Sequence, residues 1–374
     1  MLEAIRIMRN RLDSAFGSDT KKSREMDYAV NHSSSENNAI HIEEGSLPLV
    51  SVLVPFYRVE EYIERCARSV FEQTYPRLEF IFVNDASDDA SMEILERAIS
   101  EYPNRKETIN IIQHNKNRGL AAARNTAVAA CRGDFVFHVD SDDWVEPNAV
   151  EVMMEKQFET DADIVSSEAY DWEKGVKKEY LTGGWNLSKE RLIKEILSFR
   201  VSTTIWRRLI RRSLYVEHNI TCDERYSKGE DLQVFPRLVY YAKKVAGVNQ
   251  HLYNYNRQNS LSYTNTAKQD VDVQKQGLES VKVIKAFFSD KEHYLQDAVA
   301  KIDVRSIRSQ LLINALNQNQ AGYDFFLNSL KDAGASYWFL LHCALFPVRY
   351  MGSNNCTLSL VRSVSKLRRK LTKI

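Results

Sequence analysis

The chain has 374 residues, 44% of them hydrophobic and 27% charged, with 51 Lys and Arg against 50 Asp and Glu. That length allows one large domain, or one domain with extensions, and the near-cancelling charge excludes a nucleic-acid-scale basic field over the whole chain. Five scattered cysteines without C-x-x-C spacing argue against a disulfide frame or a zinc site, and no apolar run reaches the roughly 18–20 residues that span a bilayer, so a cytoplasmic protein is expected.

In chain order, residues 1–48 read as an N-terminal extension ending in a polar linker, Asn31 to Asn38. From Leu49 the pattern changes. Val50–Val54 is an apolar, β-branched run that Pro55 is expected to stop, and Val59–Gln73 has helical spacing. Further strands are expected at Glu79–Val83, Ile109–Gln113, Phe135–Asp140 and Ile164–Ser166, with helices at Ser91–Ile99, Gly119–Cys131 and Pro147–Phe158 between them. Alternating strands and helices imply an α/β fold with a mostly parallel, Rossmann-like sheet flanked by helices. After Tyr170 the regularity weakens. Helices are expected at Ser188–Ser198 and Glu230–Tyr241, short strands at Lys244–Val248 and Leu252–Asn256, and two or three helices over 267–334.

Chemistry gathers where the strands stop. The turn Asp140-Ser141-Asp142-Asp143 follows an apolar strand directly, and carboxylates there suit a hard divalent cation, Mg2+ or Mn2+. In open α/β sheets the ligand crevice lies at these carboxyl ends. Pro55-Phe56-Tyr57 offers an aromatic that either stacks on a base or packs at the core edge. In Asn84-Asp85-Ala86-Ser87-Asp88-Asp89, Asp85 can accept hydrogen bonds from a base or ribose, whereas Ser87 or Asp88 can cap the next helix. Asn117-Arg118-Gly119 opens an Ala-rich helix whose N-terminal amides suit a phosphate, and Arg124 on that helix can fork onto a diphosphate or stand at the surface.

These segments, together with Ala123-Arg124-Asn125, resemble glycosyltransferase family 2 in order and spacing. Trp206-Arg207-Arg208-Leu209-Ile210-Arg211-Arg212, Gly229-Glu230-Asp231-Leu232-Gln233-Val234-Phe235 and Tyr253-Asn254-Tyr255-Asn256-Arg257-Gln258-Asn259-Ser260-Leu261-Ser262 resemble its bacterial capsular and exopolysaccharide branch. The resemblance implies the GT-A fold, a nucleotide-diphosphate sugar donor (a UDP-sugar first), a divalent metal and inversion at the anomeric centre. Arg58, Asn84, Ala86, Ala127 and Arg207 depart from the family's common residues without removing a metal carboxylate or the acidic pair.

On this reading Asp142 is the main metal ligand, and Asp140 binds ribose or shares the metal. Asp231 is the base that deprotonates the acceptor hydroxyl, with Glu230 beside it. Pro55, Tyr57, Asp85, Asn117, Gly119, Arg124, Asp140, Ser141, Arg208 and Arg257 hold the donor, and Trp206, Tyr253 and Tyr255 line an acceptor groove or pack in the core. Adjacent carboxylates repel, so one of Glu230 and Asp231 should have a raised pKa. Residues 49–265 are read as the GT-A domain, 49–170 its nucleotide-sugar half and 171–265 its acceptor half. A helical extension follows over 266–334.

Over 335–374 there is no acidic residue but seven basic ones. Beside an aromatic-rich stretch this reads as a peripheral contact with an anionic membrane, at its inner face, or as a docked helix with a solvated tail. The function expected is transfer of a sugar to a saccharide or lipid-linked acceptor in surface-polysaccharide synthesis. The alternatives are a nucleotidyltransferase making the sugar nucleotide, and a non-catalytic scaffold of a polysaccharide assembly complex. No Gly-rich phosphate loop supports the first of these.

Overall fold

The computed structural model describes residues 47–332, apart from 181–183, 260–261, 263–269 and several positions between 304 and 319. The basic tail, nearly all of the N-terminal extension, and Ser260 and Leu261 lie outside the described residues.

The elements run β1 (Val50–Phe56), α1 (Ile63–Phe71), β2 (Leu78–Asn84), α2 (Ser91–Ser100), β3 (Ile109–Gln113), α3 (Leu120–Ala130), β4 (Phe135–His138), β5 (Trp144–Val145), α4 (Ala149–Thr160), β6 (Ile164–Glu173), β7 (Val176–Tyr180), α5 (Lys189–Leu197), β8 (Arg208–Arg211), α6 (Ser213–Glu217), α7 (Glu230–Tyr241) and β9 (Val245–Asn256). Helices α8 (Val271–Phe288), α9 (His293–Ala300) and α10 (Gln320–Asp332) follow. The strands form one sheet in the order β3-β2-β1-β4-β8-β6-β9-β5, with β7 on β6. Strands β1 to β4 pair in parallel, so β1, β2 and β4 end at the same edge. Beyond them β8 runs antiparallel to β4 and β6, while β9 runs parallel to β6.

Period-two alternation divides the core. Val52, Val54, Phe80 and Phe82 face α1 and α2, whereas Leu53, Ile81 and Val83 face α3 and the layer of α5, α7 and α8. Helix α3 packs against β1 and β2 and places the small side chains of Ala121, Ala123 and Ala127 in this core.

Three local expectations change. Pro55 lies within β1, opposite Val83. The pairing with β4 stops at Leu53 and His138, so the missing N–H of Pro55 faces no ladder partner. The two short strands after Lys244 are one strand, β9, with register shifts against β6 at Ser167, Glu168 and Ala169. Strand β6 runs on to Glu173, well past Ser166.

Candidate active site

A cleft of about 1140 Å³ opens at the carboxyl ends of β1, β2 and β4. Pro55, Tyr57, Asp85, Asn117, Gly119, Arg124, Asp140, Ser141, Asp142, Glu230, Asp231 and Arg257 all line it. The topology explains the gathering. Parallel strands bring Tyr57, Asp85 and Asp140 to one rim, Gly119 starts α3 at that rim, and α7 begins with Glu230 facing it. Arg208 does not line the cleft. Its guanidinium sits 3.8 Å over the Phe235 ring and donates to the Ser202 carbonyl at 2.9 Å and to that of Thr204. Position 208 begins β8, whose first three residues are buried between β4 and β6.

The acidic turn is braced from β9. The Tyr253 hydroxyl accepts from the Asp140 N–H at 3.0 Å and donates to Asp143 Oδ2 at 2.7 Å. Asp143 Oδ1 accepts from the Asn256 N–H at 2.7 Å, and Asn259 Nδ2 donates to Asp142 Oδ2 at 2.9 Å. Asp143 is fully buried and serves this brace, which leaves Asp140 and Asp142 at the cleft. Burial first, then the Asp140 charge, raises the Asp142 carboxyl to about 6, against the pull of Asn259. Tyr253 packs in the core, one of the two places expected for it, and its hydroxyl also orients the turn; Asn259 is a contact that the sequence did not single out.

Arg124, only 3% exposed, bridges the two acidic clusters. It donates to Asp140 Oδ1 at 3.0 Å, pairs with Asp231 Oδ1, and lies 3.6 Å from Glu230 Oε1. The fork expected at a diphosphate is thus committed to carboxylates. Burial, then the adjacent Asp231, raises Glu230 to about 7. Burial also raises Asp231, with Arg124 opposing it. Both members of the pair are raised, and desolvation leads in each.

The loop before α3 also differs from expectation. The Arg118 and Gly119 N–H groups donate to the two oxygens of Asp85, at 2.9 and 2.7 Å, and so are taken by that carboxylate. Ser87 and Asp88 do not cap α2, whose N-cap is Ala90. They hold Arg58, through its N–H at 3.0 Å and its guanidinium. On the far wall Trp206 stacks between Tyr253 and Tyr255, at ring separations of 4.7 and 5.2 Å. Arg257 pairs with Asp171 at 2.8 Å.

No cluster of three or more His, Cys, Asp or Glu with metal-holding geometry occurs among the described residues. Magnesium-type ions are commonly held by one or two carboxylates plus substrate phosphates rather than by an all-protein cage. Asp142 and Asp140 fit that mode: two acidic groups at an open cleft, one with an ionisation that burial opposes and a cation would favour.

The family model for Glycosyl transferase family 2 matches residues 51–217. The glycosyltransferase GlyG of Streptococcus pneumoniae is 31% identical over 220 residues, covering 56% of this chain and 71% of GlyG. The chain belongs to glycosyltransferase family 2. A Bacillus subtilis protein named as the uncharacterized glycosyltransferase EpsJ is 34% identical over 225 residues, 58% of this chain and 63% of its own length, so the chain spans a little under two thirds of that relative. A structure of the mannosyltransferase PcManGT from Pyrobaculum calidifontis, with GDP-Man and Mn2+, superposes with a TM-score of 0.52 at 16% identity, covering 86% of this chain and 81% of that one. This likeness is one of fold, and it bears out the GT-A architecture.

The family-2 match ends before Glu230, Asp231, Arg257 and Asn259. The cleft is therefore completed by segments beyond the matched span, including Val273 and Gln276 of α8. Those two were not legible as site residues, because nothing in a helical extension marks which of its faces meets a distant loop.

Proposed function

We propose that this family-2 chain is an inverting glycosyltransferase that moves a sugar from a nucleotide-diphosphate sugar, with uridine diphosphate as carrier, to a hydroxyl of a saccharide or lipid-linked saccharide in surface-polysaccharide synthesis. One observation carries the reading. A single cleft holds the acidic pair Asp140 and Asp142 and, tied to it through Arg124, the separate pair Glu230 and Asp231. A nucleotidyltransferase has no task for that second pair.

In this reading Asp85 holds the nucleoside, and Asp142 with Asp140 holds a Mg2+ or Mn2+ ion, which when bound supplies positive charge beside the leaving diphosphate. Asp231 takes the proton of the acceptor hydroxyl as its oxygen bonds to the anomeric carbon, and the bond from that carbon to the phosphate oxygen breaks on the opposite face. A raised carboxyl is a better base than a solvated one, and Arg124 fixes its orientation. Hydrolysis of UDP-sugars with Mn2+ tests the donor half. Asp142→Ala is expected to lose it by about a hundredfold or more, and equal rates in both proteins would remove the enzymatic reading.

We also assign the basic segment over 335–374 to the surface of an anionic membrane, where lipid-linked acceptors reside. No described helix is long and apolar enough to cross a membrane. The full chain is expected to sediment with anionic vesicles and a chain truncated at 334 to stay in solution; equal sedimentation would overturn this.

A further inference from the structure

Asp85 is nearly saturated before any ligand arrives. Its Oδ1 accepts from the Arg118 N–H at 2.9 Å and lies 2.7 Å from His114 Nδ1, while its Oδ2 accepts from the Gly119 N–H at 2.7 Å. Both oxygens take backbone donors, so the carboxylate is an acceptor and His114 Nδ1 carries the proton. The other imidazole nitrogen, Nε2, meets the Thr126 hydroxyl at 2.9 Å, which fixes the ring from α3. His114 is 7% exposed and does not line the cleft, whereas Asp85 does. Three donors of fixed origin, two on the loop before α3 and one on the ring, thus set the plane of one carboxylate. Among the described residues, one acceptor direction on Oδ2 is left without a donor.

We propose that His114 is a positioning residue for nucleobase selection: held by Thr126, it locks Asp85 so that Oδ2 accepts the imide N–H of a uracil-type base. The inference rests on the nucleotide-sugar reading above and deepens it. A fixed acceptor pairs with a base edge that presents N–H. It repels the cytosine edge, where the corresponding ring nitrogen is itself an acceptor, so freedom to rotate would cost discrimination more than it costs general affinity.

Two near-isosteric variants separate positioning from packing. In His114→Asn the amide nitrogen can take the place of Nδ1 and keep the bond to Asp85. In His114→Gln the amide reaches the place of Nε2, keeping Thr126 and losing Asp85. UDP and CDP binding would be measured by calorimetry with Mn2+, alongside thermal melts of each protein. Wild type is expected to favour UDP. His114→Asn should keep UDP affinity within about threefold, and His114→Gln should lose about tenfold for UDP with little change for CDP. Equal UDP to CDP ratios in the three proteins, or equal losses in both variants, would overturn the role of His114. Wild type that binds neither nucleotide would instead overturn the nucleotide-sugar reading itself. If either variant melts too low to titrate, Thr126→Val, which frees the ring without removing it, is expected to narrow the UDP to CDP ratio, and an unchanged ratio there would overturn the proposal.

Discussion

Glu230 shows how the site's electrostatics reach stability. Burial and the neighbouring Asp231 lift its carboxyl to about 7, from an ordinary 4.5. The folded protein therefore keeps a proton that the unfolded chain has released. That favours the fold at the acid side, and the advantage is lost as pH rises from about 4.5 through 7. Asp142, lifted from 3.8 to about 6, acts in the same direction at lower pH. In metal-free protein, urea melts of Glu230→Gln should show a flatter loss of stability over this window than wild type. The difference between the two should grow by on the order of 2 kcal/mol towards neutral pH, and parallel pH profiles would count against a desolvated Glu230. The carboxylates themselves were legible, because near-continuous apolar runs lead into Asp85 and Asp140. Arg207 and Arg208 were not. A charged side chain in a short segment reads as surface, yet these are 0% and 2% exposed and hydrogen-bond to backbone carbonyls, Arg207 to that of Ser167.

At the scale of elements, the start of α3 has no room for a side chain. Gly119 sits at φ 86° and ψ 164°, backbone that is essentially reserved for glycine. A Cβ there would stand 2.3 Å from Ser227 Oγ, on the cleft wall. Gly119→Ala is expected to cost about 1–3 kcal/mol and to raise the donor KM by displacing the Ser227 wall. Adding Ser227→Gly should restore the KM but not the melting temperature, since the backbone strain persists. A Gly119→Ala protein that melts like wild type would show that the loop relaxes elsewhere. The sequence placed α3 and α7 to within a residue because Ala-rich and amphipathic runs have sharp ends. It divided β9 in two because the stretch opposite the register shifts carries Asn249, Gln250 and His251, which break the apolar pattern while the chain stays extended. Strands β5 and β8 escaped notice, being two and four residues long and held by their neighbours rather than by any pattern of their own.

Across the whole molecule, the fold works by convergence. The parallel half delivers Asp85, Asp140 and Asp142 to one rim, the antiparallel half delivers the brace from Tyr253, Asn256 and Asn259, and α7 delivers Glu230 and Asp231. Arg124 joins the halves. The motifs were legible one by one. Their joining was not, because an arginine on a helix carries no mark of the three carboxylates it will meet from 16 to 107 positions away. The division of labour in the cleft can be read from one variant, Asp231→Asn, by measuring UDP-sugar affinity and transfer rate in the same preparation with Mn2+. Donor affinity within about twofold of wild type with transfer reduced by about a hundredfold or more is expected if Asp231 is the base on the acceptor side. Retained transfer, or loss of donor binding in step with activity, would contradict that assignment and the mechanism built on it.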